Sequence, residues 1–360
     1  MAFLSTSCDK WFDVRPSTQE LREDMFDTEQ GYKDALTGCY MKMKSQTLYG
    51  RQLTFGAVEY LAQHWDVQGE TATITAIKNW DYEDAGAVST FRSIYGGLYN
   101  VIIQANTILL ALPETGETAI EHPHIRAIIE AEARAIRAFC HFDVLRIFGQ
   151  LPNGGSVKVR LPYSEDVSRN PVAYYSYEDF TAKIENDLNI AEKLLKEHDP
   201  FVGYTIDQVN RQDSYSGYDG IMAGEDEFLY FRTIRMNYWA VKALQARFYL
   251  YTATAANGNA AKAYAAAREV INVENETASR PKKFPLTVFD NTNNYYAIPQ
   301  ECMLLLNNTN MADYIPSYTP PRTGDTTLTC ASGSGLNSPK PSPPIPTTRS
   351  LKVFHSKNDA

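Results

Sequence analysis

The residues best suited to chemistry are two aromatic-acid clusters, Trp65-Asp66 and Trp80-Asp81-Tyr82-Glu83. Both lie in a polar stretch, His64 to Asp84, that carries no helical period and holds Gly69 and several threonines. A sugar ring has one face of C–H groups and a rim of hydroxyls. A flat indole or phenol covers the face, and a neighbouring carboxylate accepts from the rim. Trp65, Asp66, Trp80 and Tyr82 are therefore candidate ligand-binding residues. Tyr215 and Tyr218, in a second irregular stretch between Asp199 and Phe231, join them as candidates. The alternative is that these rings anchor their loops onto the helices beneath, the commoner fate of aromatic side chains.

Other chemistry is sparse. There is no G-x-S-x-G, H-E-x-x-H, P-loop or G-x-G-x-x-G pattern. The acidic run Asp213, Asp219, Glu225, Asp226, Glu227 has enough oxygens to interest calcium but lacks the order of a calcium loop. It also has enough carboxylates for a glycosidase pair. A solvated acidic loop accounts for it more simply. No cofactor is expected, and calcium stays open. His122 and His124 flank a proline at a helix start and have no evident third metal ligand. The five cysteines form no C-x-x-C pair and no disulfide framework. Cys8 follows Phe3-Leu4-Ser5-Thr6-Ser7, a sequence shaped like the end of a lipoprotein signal, in which small residues admit the peptidase and the thiol takes the lipid. The basic start and longer apolar stretch of such a signal are missing.

The elements that must position these residues are helical. Helices are expected over Thr28–Lys44, Leu48–Gln63, Thr90–Leu112, His122–Phe148, Ser176–Leu195, Thr233–Ala256 and Ala260–Ile271, from apolar residues recurring at three- and four-residue steps. The last two flank Asn257-Gly258-Asn259 and put small residues at close-contact positions. They form a helical hairpin of tetratricopeptide type, which must stack on neighbours to bury its faces. Pro299 to Leu306 reads as a short buried strand. The fold class is thus mainly α: a tetratricopeptide-like helical hairpin scaffold with long irregular loops and a few short strands.

Of the 44 residues from Ser317 to Ala360, 24 are Ser, Thr, Pro or Gly, too few apolar groups to offset ordering entropy by burial. Residues 317–360 are expected to be a disordered tail or the product of a shifted reading frame. The abrupt change straight after a strand-like segment favours the latter. The chain then divides into a signal remnant at 1–8, a helical domain at 9–316 and this tail. A net charge of −9 over 360 residues argues against nucleic acid and against electrostatic docking on an anionic membrane. No run approaches the roughly 18 continuous apolar residues of a membrane-spanning helix.

Several segments resemble the SusD/RagB outer-membrane lipoproteins of glycan-foraging Gram-negative bacteria. They are Ser7-Cys8-Asp9-Lys10-Trp11-Phe12-Asp13-Val14-Arg15-Pro16, the helix from Asp24 to Tyr40, Asn100 to Leu110, and Ala240 to Ile271 with the following Glu301 to Leu306. The most specific is Glu130-Ala131-Glu132-Ala133-Arg134-Ala135-Ile136-Arg137-Ala138-Phe139, running on to Arg146-Ile147-Phe148-Gly149-Gln150-Leu151-Pro152. The likeness covers residues 7 to about 310, and family members continue well beyond this length. It implies lipidation of Cys8, a surface-exposed place on the outer membrane, and non-catalytic binding of an oligosaccharide handed to a SusC-type TonB-dependent transporter. The competing expectations are a secreted helical glycoside hydrolase, a helical-repeat adaptor without a small ligand, and an inactive pseudogene product.

Overall fold

The computed structural model describes residues 25–64, 70–113, 119–151, 157–167, 171–210, 226–274, 282–284 and 302–306. In chain order the helices are α1 (Glu29–Met43), α2 (Ala57–Leu61), α3 (Ala72–Lys78), α4 (Ala85–Ala111), α5 (Pro123–Phe148), α6 (Tyr177–His198), α7 (Ile206–Asn210), α8 (Tyr238–Tyr251) and α9 (Asn259–Asn272). Two two-residue strands, β1 (Leu161–Pro162) and β2 (Tyr174–Tyr175), pair antiparallel with Leu161 opposite Tyr175. The described residues are mainly helical, as expected. Two compact units divide the chain. Among the described residues, one comprises those up to Lys42 with those from Leu98 onward, the other those of Met43–Gly97.

The larger unit is built from consecutive helical hairpins. α5 packs on α6, α6 on α8, and α8 on α9, which is the stacking that repeat hairpins need to bury their faces. Each start has a local reason. Pro123 opens α5 at a position where no amide hydrogen is required. The Ser176 hydroxyl accepts from the Asp179 amide at 3.1 Å to cap α6, and the Asn237 side chain accepts from Ala240 at 3.0 Å to cap α8. Gly258, with φ +69°, turns the chain from α8 into α9, a left-handed backbone that a side chain makes costly. α5 is buried almost all round, with Ile125, Ile128, Ile129, Ile136, Phe142 and Leu145 inside.

Two charged networks are sealed within this unit. The Arg232 guanidinium, wholly buried, meets Asp199 at 3.0 and 3.1 Å and the Glu132 carboxylate on α5. Glu132 also accepts from Arg235 at 2.6 Å and from the Tyr40 hydroxyl of α1 at 2.6 Å. Burial alone would raise the Glu132 carboxyl, but Arg235 and Arg232 hold it below the usual carboxylate range. The second network centres on a two-pronged Arg137–Asp187 pair at 2.6 and 2.7 Å. Tyr163 donates to Asp187 at 2.6 Å, and Asn106 accepts from Arg137 at 2.9 Å. Each charge therefore has an opposite charge and hydrogen-bond partners, the condition under which buried ions are tolerated. The burial of Glu132 and Arg137 gives a physical reason for the Glu130–Phe139 segment: both point into these networks.

Several boundaries differ from expectation. The helix expected over 48–63 is confined to Ala57–Leu61, because 45–56 folds into successive turns around Gly50 and Gly56. The loop expected over 64–84 contains α3, started by the Thr71 hydroxyl accepting from the Ile74 amide. Seven residues rich in Thr and Ile are too short to show a helical period. The helix expected from Thr90 begins at Ala85, where the Asp84 carboxylate caps Ala87 at 2.9 Å. The one expected from Thr233 begins at Tyr238, since Arg232–Ile234 is a tight turn held by its buried guanidinium. The strand expected at 299–306 is absent from its described part, 302–306. There Leu305 donates to the Thr233 carbonyl at 2.8 Å, and the Met303 carbonyl accepts from Asn237 at 2.6 Å. By length and composition α4 is apolar enough to cross a membrane. One face of it, with Ile94, Leu98, Val101, Ile102, Ala105 and Ile108, is fully buried, while Ile103 and Leu110 are exposed.

Candidate functional site

Of the expected ligand-binding residues, the structure describes Trp80 and Tyr82. Trp65, Asp66, Tyr215, Tyr218 and the lipidation candidate Cys8 lie outside the described residues, as do the signal remnant and the 317–360 tail. Trp80 and Tyr82 belong to the smaller unit and follow α3.

Trp80 sits where a helix ends. Its amide donates to the Ile77 carbonyl at 3.1 Å and the Asp81 amide donates to Ala76 at 2.9 Å. This doubly bonded termination places its central residue in a left-handed backbone and normally uses glycine there. Trp80 takes φ +57° instead, at a cost of roughly 1–2 kcal/mol for a residue with a Cβ. Strain of this kind persists where surroundings hold it, and it concentrates at functional positions. The residue is 38% exposed. Its indole N–H donates to the Leu61 carbonyl at 3.2 Å.

The residues that follow are committed to local structure. Asp81 accepts from the Glu83 amide at 3.0 Å, and Asp84 caps α4. Tyr82 is half-buried with its ring 5.7 Å from that of Phe91 and tilted by 60° to it, and burial pushes its hydroxyl up from the ordinary tyrosine value. Trp80 is thus the outward-facing ring of the pair. Gln63, whose side chain donates to the Lys78 carbonyl at 2.8 Å, is a further polar residue of this region that the sequence does not single out. Its signal is faint, since a glutamine just past a five-residue helix resembles any polar loop residue.

The acidic segment is described only at its end. Asp226 pairs with Lys33, and its carboxylate accepts from the Phe228 amide at 2.8 Å. Burial would raise the Asp226 carboxyl, but the bonds from Lys33 and Phe228 outweigh it and hold the group below its ordinary value. A carboxyl held ionised in this way is a poor proton donor for glycoside cleavage. Among the described residues no group of three His, Cys, Asp or Glu is placed to hold a metal ion. His122 contacts Glu29 at 3.2 Å and lies edge-on to His124. Cys39 and Cys140 are buried and outside any disulfide, and burial pushes the Cys39 thiol up to about 12.

Fold and site together define a helical-repeat protein whose loop-rich second unit carries a strained, outward-facing indole. The SusD-like family described as starch-binding and associating with the outer membrane matches residues 10–203, and the chain belongs to that family. A SusD-like protein of Formosa agariphila is 24% identical over 157 residues, 42% of this chain and 29% of the relative. A SusD superfamily protein of Bacteroides thetaiotaomicron of known structure has 18% identity and a TM-score of 0.47, over 68% of this chain and 46% of its own. A laminarin-binding SusD-like protein has 19% identity and a TM-score of 0.44, over 70% of this chain and 45% of its own. The chain spans less than half the length of each of these relatives.

Proposed function

We propose that this chain belongs to a non-catalytic glycan-binding protein of the outer membrane, anchored through a lipid on Cys8 and exposed at the surface. It takes an oligosaccharide and passes it to a SusC-type TonB-dependent transporter. Membership of a starch-binding, outer-membrane-associating family supports the setting. Trp80 carries the binding part of the proposal: a ring held outward, 38% exposed, on a backbone strained to keep it there. Trp65, Asp66, Tyr82, Tyr215 and Tyr218 complete the proposed set of ligand residues. Engagement of Asp226 by Lys33 supports binding without hydrolysis.

Calorimetric titration with a maltooligosaccharide and a laminarioligosaccharide tests this. Trp80→Ala removes roughly 1–2 kcal/mol of stacking and burial, so the dissociation constant rises about tenfold. Equal affinity in the variant takes the ring out of the site. Release of reducing ends by the unmodified protein refutes the non-catalytic reading.

A further inference from the structure

α2 ends by the same device as α3. The Gln63 amide donates to the Tyr60 carbonyl at 3.0 Å and the His64 amide to Glu59 at 3.1 Å, with Gln63 at φ +56°. Two short helices therefore end on left-handed residues, and neither uses the glycine that this termination favours. The side chains show what glycine could not do. Gln63 Nε2 donates to the carbonyl of Lys78, the last residue of α3, at 2.8 Å. Trp80 Nε1 donates to the carbonyl of Leu61, the last residue of α2, at 3.2 Å. Terminal helix carbonyls have no partner within their own helix. Each strained residue thus caps the other helix, and the two helix ends are locked reciprocally.

This lock has a consequence for the indole. Its only polar atom is engaged by a backbone carbonyl, so what it offers outward is carbon surface. The geometry points to Gln63 as the positioning residue of Trp80. By closing the reciprocal cap, Gln63 holds the indole with its N–H withheld, so that the ring meets a sugar through its face alone. The ligand part is the C–H face of an uncharged sugar ring, and in this respect the inference rests on the glycan-binding reading above.

The test uses the full chain and three variants. Gln63→Met keeps the length and removes the donor. Gln63→Lys restores a donor of similar reach. Gln63→Gly relieves the left-handed backbone and serves if Gln63→Met does not fold. The readouts are hydrogen exchange of the Trp80 indole N–H by NMR, its resonance assigned by loss in Trp80→Phe, and the dissociation constant for maltoheptaose. In Gln63→Met the indole N–H exchanges roughly tenfold faster as the cap opens, and the dissociation constant rises about three- to tenfold. Gln63→Lys recovers both. In the maltoheptaose complex of the unmodified protein the indole N–H keeps its protection. Unchanged exchange in Gln63→Met overturns the lock. Faster exchange with unchanged affinity overturns the positioning role. If Trp80→Ala binds maltoheptaose as tightly as the unmodified protein, the ring is out of the site and the positioning role is overturned; if the unmodified protein binds no maltooligosaccharide and no laminarioligosaccharide, the glycan-binding reading fails, while the exchange measurement still decides whether the lock exists.

Discussion

His141 offers a sharp test of how the larger unit is sealed. The imidazole is fully buried and lies flat on Tyr163 at 3.8 Å. Its Nε2 faces the Ser164 amide at 3.1 Å, and a backbone amide can only donate, so Nε2 must accept. Nδ1 then carries the proton and donates to the Arg137 carbonyl at 3.0 Å. A second proton would set N–H against N–H, without water and beside the Arg137 cation. Burial first and that cation second lower the pKa of His141 from 6.5 to about 3. Below about pH 6.5 the unfolded chain takes up a proton that the folded protein refuses until about pH 3, so this group makes stability fall with acid across that window. At about pH 5 the shortfall is roughly 2 kcal/mol relative to pH 8, from a linkage of about 1.4 kcal/mol per unit. Urea unfolding at both pH values, for the unmodified protein and for His141→Gln, isolates this contribution, because the glutamine does not titrate and its amide oxygen still accepts from Ser164. The unmodified protein should lose roughly 2 kcal/mol more than the variant on acidification. Equal losses, or an imidazole resonance of His141 that titrates above about pH 5, would refute the reasoning.

Two further outcomes follow from the same unit. Arg232→Met leaves the buried Glu132 and Asp199 carboxylates without their shared cation, and unfolding free energy should drop by roughly 3–5 kcal/mol in urea titration. A loss below about 1 kcal/mol would mean that the network is not dry. Gly258→Ala has open space around the added methyl group, so only the left-handed turn costs. The expected loss is about 1 kcal/mol by thermal unfolding, and a loss beyond about 3 kcal/mol would point to a clash the turn does not have.

Periodicity alone determined the long helices. α1, α5, α6 and α9 lie within a few residues of their expected bounds, because an amphipathic or wholly apolar run of fourteen residues or more has few other ways to bury itself. The Gly258 turn between α8 and α9 was legible for a similar local reason, and the segment from Glu130 to Phe139 carried the most specific family resemblance. Of the binding set, the sequence singled out Trp80 and Tyr82 by residue type and by their place in a polar stretch. It assigned them no difference in role.

Tertiary structure decided the rest. Whether Trp80 faces outward while Tyr82 leans on Phe91 depends on which turn each occupies, and a two-residue separation in irregular chain carries no face. α2 and α3 are too short for their periods to register, and each is stabilised by a side chain from the end of the other. Nothing in the local sequence marks Glu132, Arg137, Asp187 and Arg232 for burial. They are buried because their partners arrive from 24 to 103 residues away in the chain. Charges separated so widely in sequence become neutralised networks only when the helices stack, and no local pattern records that.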